Sequence, residues 1–321
     1  MVTPQISHEK LAKKLGLSGP LYLKREDLHP LRSHKGRSLP RMIEHYAKAG
    51  SRDFAISSSG NAGIAAAMYC AKHNAELAEN AGGAGSSAEM YRLKVFIGRN
   101  IPDEKRRILS EHASGAIQIT QVDRPLQTFL QTVKDPRITG LRQSTDDVAL
   151  DGYVELAREL AKIPSLKAVF MPASSGTGAQ GLYEGFKKIQ AQNTGYIIPQ
   201  IHIVQTDTCH PIADAVGTSD KKDGLIAKMQ AMVSPKTQGS IADAIVDTVG
   251  HRKDALTKVV CEVGGAGWIM TNDEIAKAVE MLREEGVQVT PNGVLAVAGL
   301  SKAVANGWKW DGAVVCVICG K

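Results

Sequence analysis

The chain has 321 residues, enough for one large or two modest domains around a sizeable core. Its 43% apolar content argues against disorder. The longest apolar stretch, AGIAAAMYCA at 62–71, is about half of the roughly 20 residues a membrane span needs, so no membrane partner is expected. The formal charge of +6 is scattered among acids, as in EKRR at 104–107 and REE at 283–285. It therefore excludes a clustered nucleic-acid surface and mildly favours anionic small molecules.

In chain order, MVTPQISHEK lacks the apolar core of a signal peptide, and a cytoplasmic protein is expected. Strand-like runs follow at 21–26, 53–58, 93–98, 116–120, 167–172, 201–207 and 313–319. Helical spacing appears at 38–50, 61–75, 152–163, 181–190 and 272–286. Asn272 can cap the last of these helices. Alternation of strand and helix predicts mostly parallel sheets flanked by helices, in two α/β lobes. A smaller, mobile lobe over 41–150 is expected as an insertion in a larger one of 1–40 plus 151–321. Residues 79–89, ENAGGAGSSAE, read as a flexible surface insertion. Five cysteines fit a reducing compartment. Cys316 and Cys319 are three apart, but no second pair or flanking His completes a metal site.

Three glycine-flanked segments carry the chemistry. In LKREDLHPLRSHKGR (23–37), Lys35 stands after a Pro-containing turn and at a helix entrance, where the helix dipole favours its neutral, nucleophilic form. By itself this position is a weak signal, since a lysine near a helix start is far more often a surface residue. ISSSGNAG (56–63) runs from strand through three hydroxyls into a helix start, a ready anion site. A plain helix cap by Ser59 or Asn61 is the simpler reading of that segment. FMPASSGTGAQGLYEGF (170–186) is again strand, glycine turn and helix, and Gly176 and Gly178 allow amides to wrap a phosphate. Leu182, Phe186 and Ile189 fall on one face of that helix and should pack on the sheet. Gly176, Gly178 and Gly181 also spell a dinucleotide fingerprint, with Asp207 at the end of the next strand, so a nicotinamide dehydrogenase stays open on this segment.

Taken together and in this order, KRED, SHKGR, SSSGNAG, SSGTGAQG and a closing Cys-Gly resemble the fold type II, tryptophan-synthase-β-like family of pyridoxal-phosphate enzymes. The resemblance runs from about Tyr22 to Lys321. It implies that Lys35 carries pyridoxal 5'-phosphate as a Schiff base. Ser58, Ser59, Gly60, Asn61 and Ala62 would grip the substrate carboxylate, with Asn61 also touching the cofactor ring. Ser175, Gly176, Thr177, Gly178, Ala179 and Gln180 would cradle the cofactor phosphate, and Cys319 would face the pyridine nitrogen. Read from the strand alone, Cys319 is a buried cysteine.

IVQTDTCHPI (203–212), SIADAI (240–245), GWIMTNDEI (267–275) and TPNGVLAVAGL (290–300) look like the threonine synthase and threonine dehydratase branch. Departures from the synthases are SHKGR at the lysine and Thr290 where a glutamate is common before the proline. The resemblance implies elimination or replacement on a small amino-acid substrate, such as O-phosphohomoserine to threonine and phosphate, in a homodimer. A serine/threonine dehydratase, a cysteine-synthase-like β-replacement and a non-catalytic pyridoxal-phosphate protein remain alternatives. No metal is expected.

Overall fold

The computed structural model describes residues 2–58, 60–80, 89–217 and 239–320. The chain opens with β1 (Gln5–Ser7), α1 (Glu9–Lys14) and β2 (Leu21–Arg25). It continues through α2 (Lys35–Lys48), β3 (Asp53–Ser57), α3 (Asn61–Asn80), β4 (Arg92–Ile97), α4 (Asp103–Glu111), β5 (Ile117–Gln121), α5 (Pro125–Thr132), β6 (Ile138–Gly140) and α6 (Val148–Asp151). Next come α7 (Val154–Leu160), β7 (Leu166–Pro172), α8 (Thr177–Gln192), β8 (Gln200–Thr206), α9 (Pro211–Val216) and α10 (Lys253–Glu262). The last elements are β9 (Gly267–Met270), α11 (Asn272–Glu284), α12 (Pro291–Ala305) and β10 (Ala313–Ile318).

Two compact units emerge: 29–152, and 1–28 joined with 153–321. The smaller holds four parallel strands in the order β5-β4-β3-β6. Leu39, Ile43, Phe54, Ile64, Ala67, Val95 and Leu109 close one side under α2, α3 and α4, while Phe129 of α5 covers Ala55 and Phe96 on the other. The larger unit holds six strands in the order β1-β2-β10-β7-β8-β9, parallel except for the edge pair of β1 and β2. A parallel sheet is covered on both faces, so its inner strands read as unbroken apolar runs. Every residue of β10 is buried. Val314, Cys316 and Ile318 enter the core formed with α1, α11 and α12, while Ala313, Val315 and Val317 enter the one formed with α7 and α8. Leu182 and Phe186 are fully buried in that second core, with Ile189 packed against it, as their spacing on the helix requires.

Several boundaries differ from the sequence expectations. Residue 41 falls inside α2, which packs along α3 and α6, so the whole helix and its Lys35 belong to the smaller unit. Asn272 is not the cap of α11. Thr271 is: its hydroxyl accepts from the Glu274 amide and the Glu274 carboxylate accepts from the Thr271 amide, a complete capping box. Asn272, one residue inside, instead accepts from the Ile241 amide at 2.9 Å and donates to the Gly239 carbonyl. The expected insertion at 79–89 lies largely outside the described residues; α3 runs as far as Asn80.

Candidate cofactor site

Open parallel sheets bind ligands beyond the carboxyl ends of their strands. In the smaller unit, β3 delivers Ser57 and Ser58 to that edge, and the Ser58 amide donates to the Phe96 carbonyl at 3.1 Å. The Gly60 amide donates to Ser58 Oγ at 3.3 Å, and α3 begins at Asn61. Gly63 is needed here: a Cβ on it would stand 2.4 Å from the Ser58 carbonyl oxygen. The short turn that results leaves Ser58, Gly60, Asn61 and Ala62 half-buried rather than packed away. Ser59 lies outside the described residues.

Lys35 is the first residue of α2 and is half-buried, with its amide donating to Ser33 Oγ at 3.3 Å. Its ammonium therefore sits on the side chain of a helix-entry residue, where the dipole opposes positive charge. Directly after it, a Cβ on Gly36 would fall 2.3 Å from the His29 ring, so glycine lets that ring lie against the helix start.

In the larger unit, β7 leads through Ser174 and Ser175 to Gly176, whose φ of 84° makes it the left-handed N-cap of α8. Having no side chain, this cap leaves the first-turn amides of a sixteen-residue helix to an outside anion. The Cβ directions at the two glycines point into the protein: Leu256 Cδ1 lies 2.2 Å from the Gly176 position and Met171 Cε 2.4 Å from the Gly178 position. Glycine here lets the loop lie flat on its own core. Ser175 and Thr177 share a hydrogen bond at 3.0 Å between their hydroxyls, and Gln180 Oε1 accepts from Arg252 at 3.0 Å. Helix-end amides, two hydroxyls and a nearby guanidinium form a donor set that fits a phosphate dianion.

Cys319 follows β10, the parallel neighbour of β7. Cys316 pairs with Phe170, so three residues later Cys319 emerges beside the stretch that leads to Ser175. Cys319 is buried on the α7 and α8 side and Cys316 on the opposite one. Cys316 Sγ donates to the Ala296 carbonyl, and complete burial pushes its thiol up. Opposed directions rule out one metal site for the pair, and no cluster of three or more His, Cys, Asp or Glu occurs among the described residues. All five cysteines are free.

Two contributors escaped the sequence reading. Ser174 stands inside the quoted loop, and its hydroxyl accepts from the amides of Val246 and Asp247, both at 3.2 Å. Arg252 comes 72 residues after Gln180 and carries no local signal at all.

Residues 1–320 match the model of the pyridoxal-phosphate dependent enzyme family, and the chain belongs to that family. With it the cofactor is established as pyridoxal phosphate, and the nicotinamide reading of Gly176–Gly181 and Asp207 falls away. Among curated relatives, the threonine synthase of Methanosarcina acetivorans is 25% identical over 327 residues, covering 99% of this chain and 74% of the relative. The threonine synthase of Halalkalibacterium halodurans is 26% identical over 326 residues, covering 99% and 81%. Solved structures share the fold. An aspartate racemase superposes with a TM-score of 0.75 at 17% identity, covering 100% of this chain and 90% of that one. A threonine deaminase from Solanum lycopersicum gives 0.69 at 18% identity, covering 99% and 83%. No helix among the described residues is long and apolar enough to cross a membrane.

Proposed function

We propose that the protein catalyses a threonine-synthase-like elimination and replacement, converting O-phosphohomoserine to threonine and phosphate, with Lys35 as the covalent anchor and base. The observation that carries the site assignment is Lys35 at the entrance of α2, in the same unit as the open Ser58–Ala62 turn. Full-length similarity to threonine synthases supports the choice of reaction. When bound, pyridoxal phosphate supplies an electron sink for the substrate Cα.

The chain's own groups do the rest. Lys35 would hold the cofactor through Nζ and, from the entrance of α2, could take the Cα proton at that atom. The Ser58–Ala62 turn offers amides and a hydroxyl to the substrate carboxylate, and Asn61 offers its amide group to the cofactor oxygen. The first turn of α8, with Ser175 and Thr177, holds the cofactor phosphate, and Gln180 is kept in place by Arg252. Cys319 would face the ring nitrogen with a thiol, without the carboxylate that would hold that nitrogen protonated. A weakened sink favours elimination and replacement over transamination.

A serine or threonine dehydratase is the second reading, favoured by Thr290. Its hydroxyl caps α12 by accepting from the Gly293 amide and donates to the Gly320 carbonyl. No acid is available at that position for the extra proton transfers of a γ-replacement. The homodimer and the cytoplasmic location belong to the same proposal; light scattering reads the first directly.

Borohydride reduction and peptide mapping should place the cofactor on Lys35. A panel of O-phosphohomoserine, serine and threonine should then give threonine and phosphate. Keto acid alone would establish the dehydratase, no turnover a non-catalytic protein, and label on Lys24 or Lys48 would refute the site.

A further inference from the structure

Arg32 lies three residues before Lys35, and its φ of 67° puts a non-glycine side chain in the left-handed region. There Cβ crowds the following carbonyl, so glycine is the usual occupant. The turn itself is held by other groups. The Arg32 amide donates to the His29 carbonyl at 2.6 Å, and the Leu31 amide donates to His29 Nδ1 at 3.1 Å. Neither bond uses the arginine side chain, and either would survive a glycine at 32.

The side chain must then account for the residue. Its guanidinium reaches Glu104 at 3.9 Å, with the two side chains 36% and 70% exposed. Solvent screens a pair that long and that open, so it adds little to stability. Its position is more telling. Glu104 is in the first turn of α4, which follows β4, and β4 lies beside β3, whose end delivers Ser58. The arginine thus reaches toward the carboxyl edge of the smaller sheet, where the Ser58–Ala62 turn also emerges.

We propose that Arg32 is a specificity-determining residue whose guanidinium binds an anionic distal group, phosphate ester or carboxylate, on the amino-acid substrate. The planar fork of a guanidinium matches either oxyanion through two parallel hydrogen bonds, and a loose contact with Glu104 is readily displaced. This rests on the reading of Lys35 and Ser58–Ala62 given above.

The test titrates the holoenzyme with the phosphonate analogue of O-phosphohomoserine, in which a methylene replaces the ester oxygen, and with L-norvaline, which lacks the anion. The wild type should bind the phosphonate about ten- to hundredfold more tightly, the range that a charge-assisted pair supplies. Arg32→Gly should abolish that preference and melt no lower than wild type, because glycine suits the backbone; Arg32→Lys should keep part of it. A preference retained in Arg32→Gly, no preference in the wild type, or a sharply less stable glycine variant each overturns the inference. Turnover of O-phosphohomoserine, run alongside, separates the two claims. A working synthase whose preference ignores Arg32 loses only this inference, whereas a protein that binds neither amino acid loses the site reading as well.

Discussion

Gly176 and Gly178 stand two residues apart in the phosphate loop, yet alanine should affect them very differently. At Gly176 an alanine takes on a φ of 84°, a cost of about 1–2 kcal/mol. Its methyl also arrives 2.2 Å from Leu256 Cδ1, a fully buried side chain with little room to retreat, and such overpacking adds about 1–3 kcal/mol. At Gly178 the backbone is already helical, where alanine is favoured over glycine by about 1 kcal/mol. The group it meets, Met171 Cε at 2.4 Å, is the flexible tip of a long side chain. Gly176→Ala should therefore lose about 2–5 kcal/mol and Gly178→Ala less than about 1 kcal/mol. In a unit of this size that separates the melting temperatures by roughly 5–15 °C. Thermal melts of the apo proteins, followed by spectrophotometric titration with pyridoxal phosphate, read both effects. Equal losses, or a larger one at Gly178, would refute the geometry of the loop.

Asn61→Ala should leave the cofactor bound but shift its absorbance and lower turnover; unchanged spectra and rates would reduce Asn61 to the first residue of α3. Cys319→Ser should keep most activity, because a hydroxyl can make the same contact, whereas Cys319→Asp should protonate the ring nitrogen, alter the visible spectrum and depress elimination. Cys316→Ser, on the other face of β10, should leave the spectrum alone, and a spectral change there would reverse the assignment. Buried Lys24 pairs with Glu159 and donates to the Thr3 carbonyl at 2.8 Å. Lys24→Met should cost about 3–5 kcal/mol in urea unfolding by removing the cation from a buried carboxylate, and Lys24→Met with Glu159→Leu should recover most of it. If the double variant is as unstable as the single one, the pair is not what the site contributes.

The sequence displayed its long buried strands well, because parallel strands covered on both faces read as continuous apolar runs. DFAIS, LKVFI and AVVCVI all fall within observed strands. Three strands were invisible for the opposite reason. QIS, ITG and GWIM are three or four residues long, too short for a period to show, and tertiary pairing alone makes them strands. The glycine loops were legible because their backbone needs are written in residue type. Strand alternation likewise set Cys319 and Cys316 on opposite faces. The capping box at Thr271 could have been read from T-x-x-E but lost out to the neighbouring asparagine. Arg252 and the double hydrogen bond at Ser174 could not be read at all, since both depend on contacts across some seventy residues of chain.

The position of β10 bears on how the protein is made. Among the described residues it is the last strand in sequence, yet it lies between β2 and β7, pairing Val314 with Leu21 across roughly 290 residues. During synthesis β2 must wait with one edge open until residues 313–318 have left the ribosome. The four strands of 29–152 have no such debt to later sequence and can close first. The larger sheet thus passes through a stage with its centre missing and two apolar strand edges exposed, the state in which a holdase chaperone would find most to bind.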